Sequence, residues 1–172
     1  MEIERLKAIV LYVLNSVPGK CIGKHELFKI LYFASQKRLV GYGYAMIPDF
    51  IALPFGPVPS MLYNYIKDGN NAITISINID DYMLSSSESP DMDELSKIDI
   101  ECLDESIREN SGLSFHHLLK KSHDSAWQKA WQKRNGNRGD ELNIIEIAKS
   151  ANADESTLDF ILEQLELEAA LA

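Results

Sequence analysis

Apolar positions between residues 3 and 17 recur at helical spacing. Ile3, Leu6, Val10, Val13, Leu14 and Val17 share one face, and Glu2, Glu4, Arg5 and Lys7 lie mostly opposite. The pattern predicts an amphipathic helix with Glu2 and Glu4 at the positive end of its dipole. Pro18-Gly19 ends it. A second helix is predicted over residues 24–39. Its apolar residues Leu27, Phe28, Ile30, Leu31, Ala34 and Leu39 fall on more than one side, which makes it central, and Gly41-Tyr42-Gly43 stops it. Residues 42–58 are dense in aromatic, Gly and Pro residues. Phe50 to Leu53 reads as a short strand, Pro54, Pro57 and Pro59 exclude a long helix before residue 59, and a helix follows over 59–67.

Ile73, Ile75, Ile77 and Ile79 alternate strictly with Thr74, Ser76 and Asn78, which predicts a strand over 73–79 buried on one face. Tyr82-Met83-Leu84 is expected to pair back on it across Asp80-Asp81, giving a strand near 81–84. Residues 91–109 read as an acidic helix with Met92, Leu95, Ile98, Leu103 and Ile107 inward. Two short helices follow over 113–121 and 125–134, with Ser114 and Ser125 as N-caps. Residues 135–140, Asn-Gly-Asn-Arg-Gly-Asp, carry the strongest boundary signal. Beyond them lies a helical tail in two pieces, marked by Leu142, Ile145 and Ala148, then by Leu158, Ile161, Leu162, Leu165 and Ala169. The predicted fold is α+β and predominantly helical: a helical core, a small antiparallel β-sheet with strands near 50–53, 73–79 and 81–84, and a helical C-terminal tail. The predicted organisation is a domain over 1–134, a linker over 135–140 and an acidic helical extension over 141–172.

Composition narrows the class. The chain has 172 residues, 45% hydrophobic and 25% charged, as expected of a globular protein rather than a disordered or fibrous one. No apolar run approaches the roughly 18 residues of a membrane span, and the N-terminus lacks a basic-then-apolar leader pattern. A cytoplasmic protein is expected, with Cys21 and Cys102 as reduced thiols. The net charge of −9 alternates in blocks. Residues 1–67 carry 8 basic against 4 acidic side chains, 68–112 carry 2 against 12, 113–138 carry 6 against 1, and 139–172 carry 1 against 9. Such blocks are either solvated faces or surfaces that meet partners of opposite sign.

Little in the sequence points to catalysis. Gly19 to Lys24 has the look of a phosphate loop, but the glycines are one residue too close and His25 stands where Ser or Thr would hold magnesium. His116 and His117 are adjacent, so on a helix they point about 100° apart and chelate poorly. His123 beside Asp124 has the elements of a base and its orienter, with no nucleophile motif to serve; a helix-end role is the simpler reading. No catalytic, cofactor-binding or metal-binding residue is assigned, and an enzyme is not expected. Trp127 and Trp131 share a helix face, either as core or as an aromatic anchor among Lys120, Lys121, Lys129, Lys133, Arg134 and Arg138.

Four segments in order resemble one family. Lys29-Ile30-Leu31-Tyr32-Phe33-Ala34 resembles its K-L-L-Y-F-A helix signature. Phe50 to Pro59 resembles its apolar strand followed by Y-G-P-V-P, with Phe55, Gly56, Pro57 and Val58 in the motif and Phe55 replacing the Tyr. Leu62-Tyr63-Asn64-Tyr65 resembles the tyrosine-bearing helix that comes next. Leu113-Ser114, Leu118-Leu119, Ser122-His123 and Ala126-Trp127 resemble its late L-S…L…T-H…W pattern, with Ser122 for Thr. Taken over residues 5–131, the chain is similar to the Panacea antitoxin domain, also described as SocA-like or phage-associated GepA-like.

The resemblance implies a bacterial, cytoplasmic antitoxin without cofactor. It would neutralise a cognate protein toxin encoded beside it by direct binding, with presentation to a Clp-type protease as one mode of action. The motif residues Lys29, Tyr32, Phe33, Phe55, Gly56, Pro57, Val58, Tyr63, His123 and Trp127 then have two readings, fold maintenance and partner surface. The alternative function is a DNA-binding, winged-helix-like regulator in which Lys24, Lys29, Lys37 and Arg38 face phosphates. The net charge opposes it. An enzyme built on His123 is the third and weakest reading.

Overall fold

The computed structural model describes residues 1–172. It is α+β and predominantly helical, with eight α-helices and few strands. Helix α1 (Ile3–Ser16) buries Leu6, Ile9, Val10, Val13 and Leu14. Helix α2 (Lys24–Tyr42) is enclosed along its middle: nine consecutive residues, Leu27 to Ser35, are buried. That explains its apolar pattern on several sides, since a helix surrounded by others needs no polar face. It runs one turn beyond the expected end, through Gly41, and stops at Gly43, whose N–H bonds the Leu39 carbonyl. Helix α4 (Lys97–Asn110) packs along α2, where the buried Ser106 hydroxyl donates to the Ile30 carbonyl at 2.7 Å.

The strands only partly follow the sequence pattern. Strand β1 (Cys21–Gly23), which the sequence reading lacked, joins β4 (Asn78–Asp80) and β5 (Met83–Ser85) in an antiparallel sheet of order β1–β5–β4. The strand expected over 73–79 is therefore corrected to its last residues, and the one near 81–84 shifts to 83–85. Residues 72–76 form turns instead. Asn71 is the cause: its side-chain oxygen accepts from the N–H groups of Ile73 and Thr74, both at 3.1 Å, and its own N–H donates to Thr74 Oγ1. Local side-chain bonds of this kind compete with a β-ladder. Ile73 and Ile77 still point inward, whereas Ile75 is 77% exposed.

Strand β2 (Phe50–Leu53) lies where expected and pairs with an unforeseen strand β3 (Gly56–Pro59), Phe50 opposite Pro59 and Leu53 opposite Gly56. Helix α3 (Ser60–Asp68) follows. The other edge of β2 is occupied by residues 139–142. Gly139 N–H bonds the Ala52 carbonyl at 2.8 Å, Ala52 N–H bonds the Asp140 carbonyl, and Leu142 N–H bonds the Phe50 carbonyl at 2.8 Å. The Asn- and Gly-rich segment read as a linker thus continues into an edge of the hairpin. A Cβ on Gly139 would stand 2.8 Å from Ala52 Cβ and 2.9 Å from the Ala130 carbonyl oxygen. Gly139→Ala is expected to destabilise by about 1–3 kcal/mol, as overpacking does; a urea midpoint equal to wild type would refute this.

The acidic helix expected over 91–109 begins later. Met92–Glu94 is a short 3-10 turn, and α4 starts at Lys97 behind a capping box between Ser96 and Asp99. Helices α5 (Phe115–Ser122) and α6 (Ser125–Gln132) close over α2 and the hairpin, and Asp124 rather than Ser125 caps α6. Helix α7 (Ile144–Ser150) packs on α6, with Lys129 and Glu146 paired at 2.5 Å. The acidic extension therefore meets the basic block at this pair. Helix α8 (Glu155–Leu171) packs on α7, and its Phe160 ring meets Tyr44 edge-on at 5.4 Å. No helix is long and apolar enough to cross a membrane.

Candidate partner-binding site

Three motif residues of α2 serve different surroundings. The Tyr32 hydroxyl donates to Asp124 Oδ2 at 2.8 Å, Gln36 Nε2 to the same oxygen at 2.9 Å, and the Ser150 hydroxyl at 3.2 Å. The other Asp124 oxygen accepts the Trp127 N–H at 3.0 Å. One carboxylate thus ties α2, α6 and α7 together. Burial, reinforced by Asp124, pushes the Tyr32 phenol far above its ordinary value. Phe33 is buried beneath Lys121, whose Nζ sits 4.4 Å from the ring centre. Trp127 Nε1 donates to the Leu53 carbonyl at 3.0 Å and so pins the hairpin to α6. His123 ends α5 and stacks on Trp127 at 3.6 Å, and Trp127 stacks on Trp131 at 5.4 Å.

Lys29 is the outlier. It is 1% exposed, and its Nζ makes one hydrogen bond, to the Pro57 carbonyl at 2.8 Å. No carboxylate pairs with it. Gly56, at φ 105°, makes room for it: a Cβ there would stand 2.9 Å from Lys29 Nζ and 2.6 Å from Ser122 Oγ. Burial pushes the ammonium down to about 7. Beside it, burial and Lys29 push His25 down to about 4, and the same two influences lower His123. The Nε2 atoms of both histidines are buried without a hydrogen-bond partner.

Lys29 and His25 line a cavity of about 290 Å³ together with Lys24, Phe28, Leu53, Pro54, Phe55, Gly56, Val58 and Tyr63. At its side the Phe55 and Phe115 rings meet edge-on at 5.5 Å, and Phe115 lies 4.2 Å from the His25 ring. Phe55 is 61% exposed and Phe115 51%. Lys29, Phe55, Gly56, Val58 and Tyr63 are therefore brought together. Tyr32, Phe33 and Trp127 are buried and make their contacts within the fold. Sequence reasoning missed His25, Phe115 and the hub role of Asp124. His25 carried a signal: it stands four residues before Lys29, and the two face the same side of the central helix. Phe115 carried none.

The cations assigned to a DNA backbone are mostly committed elsewhere. Lys29 is buried, Lys37 bridges Glu105 and Glu109 at 3.4 and 2.8 Å, and Arg38 pairs with Asp99 at 2.9 Å.

A family model described as antitoxin SocA-like, Panacea domain, matches residues 27–128, more than half of the chain. The chain belongs to this family. No curated protein and no solved structure matches it. The Panacea match is narrower than the 5–131 of the motif reading: it starts inside α2 and ends inside α6. It takes in Lys29 and most of the cavity lining, the β2–β3 hairpin and Trp127, and leaves out Lys24, His25, α1, α7 and α8. Membership makes this an antitoxin-like domain and implies a toxin as partner.

Proposed function

We propose that this Panacea domain neutralises a cognate toxin by direct protein–protein contact through the face around Phe55 and Phe115, acting by binding and not by catalysis. The observation that carries this is the exposed ring pair itself. Two phenylalanines more than half exposed at the edge of an apolar cavity leave surface in water that a partner would cover, and aromatic side chains of this kind dominate binding energy. The toxin would be encoded beside this chain, and presentation to a Clp-type protease is the mode of action that the resemblance implies.

The test is co-expression with the product of each neighbouring open reading frame, read as growth rescue and co-purification. One neighbour should be lethal alone and harmless in complex. Phe55→Asp with Phe115→Asp should lose the complex while circular dichroism stays unchanged, because both rings are exposed. Absence of any toxic neighbour, or undiminished binding by the double variant, would sink the proposal. Toxin half-life with and without the protease then separates steric neutralisation from delivery.

DNA binding keeps one observation in its favour. The order α1, β1, α2, α3, β4, β5 with sheet order β1–β5–β4 is that of a winged helix with the β2–β3 hairpin inserted. The chemistry points the other way. The wing tip is Asp80-Asp81, both exposed, and α3 has Lys67 as its one cation, beside Asp68. A duplex titrated at rising salt is expected to show no binding; affinity falling steeply with salt would favour the regulator instead.

A further inference from the structure

We propose that the cavity lined by Lys29, His25, Phe55 and Tyr63 is a carboxylate-binding subsite, which takes one carboxylate on an apolar stem from the partner polypeptide. The partner's identity as a polypeptide rests on the antitoxin reading; the ligand chemistry rests on the cavity. Lys29 Nζ has three donors and one is used, on Pro57. A lysine buried to this degree is ordinarily paired with an acid, and none faces it here. An incoming carboxylate supplies the missing counter-charge and accepts the unused N–H groups. His25 Nε2, also buried and unpartnered, lies on the same cavity and offers a further polar contact.

The rest of the lining selects the stem. Phe28, Leu53, Pro54, Phe55 and Val58 are apolar, so a ligand must bury hydrocarbon to fill about 290 Å³. A phosphate is disfavoured. Apart from Lys24, His25, Lys29 and Tyr63 the side chains of the lining are apolar, so a dianion would bury more charge and more oxygen acceptors than these few groups can satisfy. The exposed rings at its side suit a protein surface better than a free metabolite, because such rings stay wet unless a second surface covers them. The carboxylate comes from a chain terminus or from an acidic side chain.

The full chain, isotopically labelled at lysine and histidine, is titrated with N-acetyl-phenylalanine, its carboxamide, N-acetyl-glutamate N-methylamide and inorganic phosphate. Saturable shifts at the Lys29 Nζ and His25 ring resonances are expected with the free acids. The carboxamide should bind at least about tenfold more weakly, the loss typical of a charged hydrogen bond. Lys29→Met should abolish binding. Phe55→Ala, an exposed truncation that leaves the core untouched, should weaken the phenylalanine probe severalfold. Preference for N-acetyl-phenylalanine assigns the site to a chain terminus, and preference for the glutamate probe to a side chain; both support the subsite. Absence of saturable shifts, equal affinity for the carboxamide, tighter binding of phosphate, or undiminished binding by Lys29→Met would overturn it. The probes need no toxin, so failure here leaves the antitoxin reading intact, and failure to find a toxic neighbour leaves the subsite intact.

Discussion

Asp99→Ala is expected to lower the unfolding free energy by about 3–5 kcal/mol, the cost of breaking a buried charge cluster by removing one partner. Asp99 is fully buried although it lies in the most acidic stretch of the chain. Its Oδ2 accepts from Arg5 Nη2 at 3.0 Å, from the Ser96 N–H at 2.9 Å and from the Ser96 hydroxyl at 2.7 Å. Its Oδ1 stands 2.9 Å from Arg38 Nε, an ion pair off the hydrogen-bonding line. One side chain thus joins α1, α2 and the capping box of α4. Alanine would leave two guanidinium groups without their shared carboxylate and remove one half of the capping box at once. For a chain of this size about 2–4 °C of melting temperature goes with each kcal/mol, so the transition should fall by about 10 °C. Calorimetry on Asp99→Ala, with the surface control Asp159→Ala, measures it. A fall no larger than the control's would show that the cluster contributes nothing net.

The same residue shapes the acid limb. Burial pushes the Asp99 carboxyl up, but the Ser96 hydrogen bonds, Arg5 and Arg38 outweigh it and hold it below its ordinary value of 3.8. A lowered carboxyl contributes stability that is present above the unfolded value and lost as pH falls through the folded one. Burial of His25, down to about 4 from 6.5, acts at milder acidity: stability is lost as pH falls from 6.5 towards 4, because the unfolded imidazole takes up a proton that the folded one refuses.

Lys29 should dominate the alkaline side. Its folded value of about 7 lies far below the unfolded 10.5. Between the two, the folded lysine is neutral and the unfolded one charged, so unfolding takes up a proton and stability rises with pH. At about 1.4 kcal/mol per unit, the full gain from pH 7 to 10 is on the order of 4 kcal/mol. The Tyr12 phenol bounds the window above: raised to about 12 from 10, it contributes stability that is lost as pH climbs past 10. Urea midpoints at pH 7, 8, 9 and 10 should rise for wild type and stay flat for Lys29→Met. A wild-type profile without slope, or a slope retained in the variant, would place the proton elsewhere.

Both sites show where the sequence was legible. Helices with a one-sided or all-round apolar pattern were readable, because burial of an apolar stripe acts locally and repeats every turn: α1 and α2 stand where their leucines and isoleucines predicted. The strand Phe50 to Leu53 and the exclusion of helix before residue 59 were readable through the apolar run and the prolines, whereas the pairing of Gly56–Pro59 back on that strand was not. The isoleucine alternation over 73–79 misled, since a single Asn71 side chain captured the N–H groups that a strand would have offered a neighbour. In the candidate site the K-L-L-Y-F-A segment marked Lys29 and Tyr32, but not what each one meets. Spacing says which face a side chain is on, and says nothing about what stands opposite.

The sequence by itself determined the helical, predominantly α character, both ends of α1 to within a residue, the start of α2, the hairpin's first strand and the Panacea membership, all written in neighbouring residues. Tertiary structure alone decided that Asp99 is a buried hub rather than one more solvated acid, that Lys29 sits in the core without a counter-charge, and that Phe55 and Phe115 meet. Each depends on partners 28 to 94 positions away along the chain. At such separations the burial and the charge of a group are set by packing, and no local pattern encodes them.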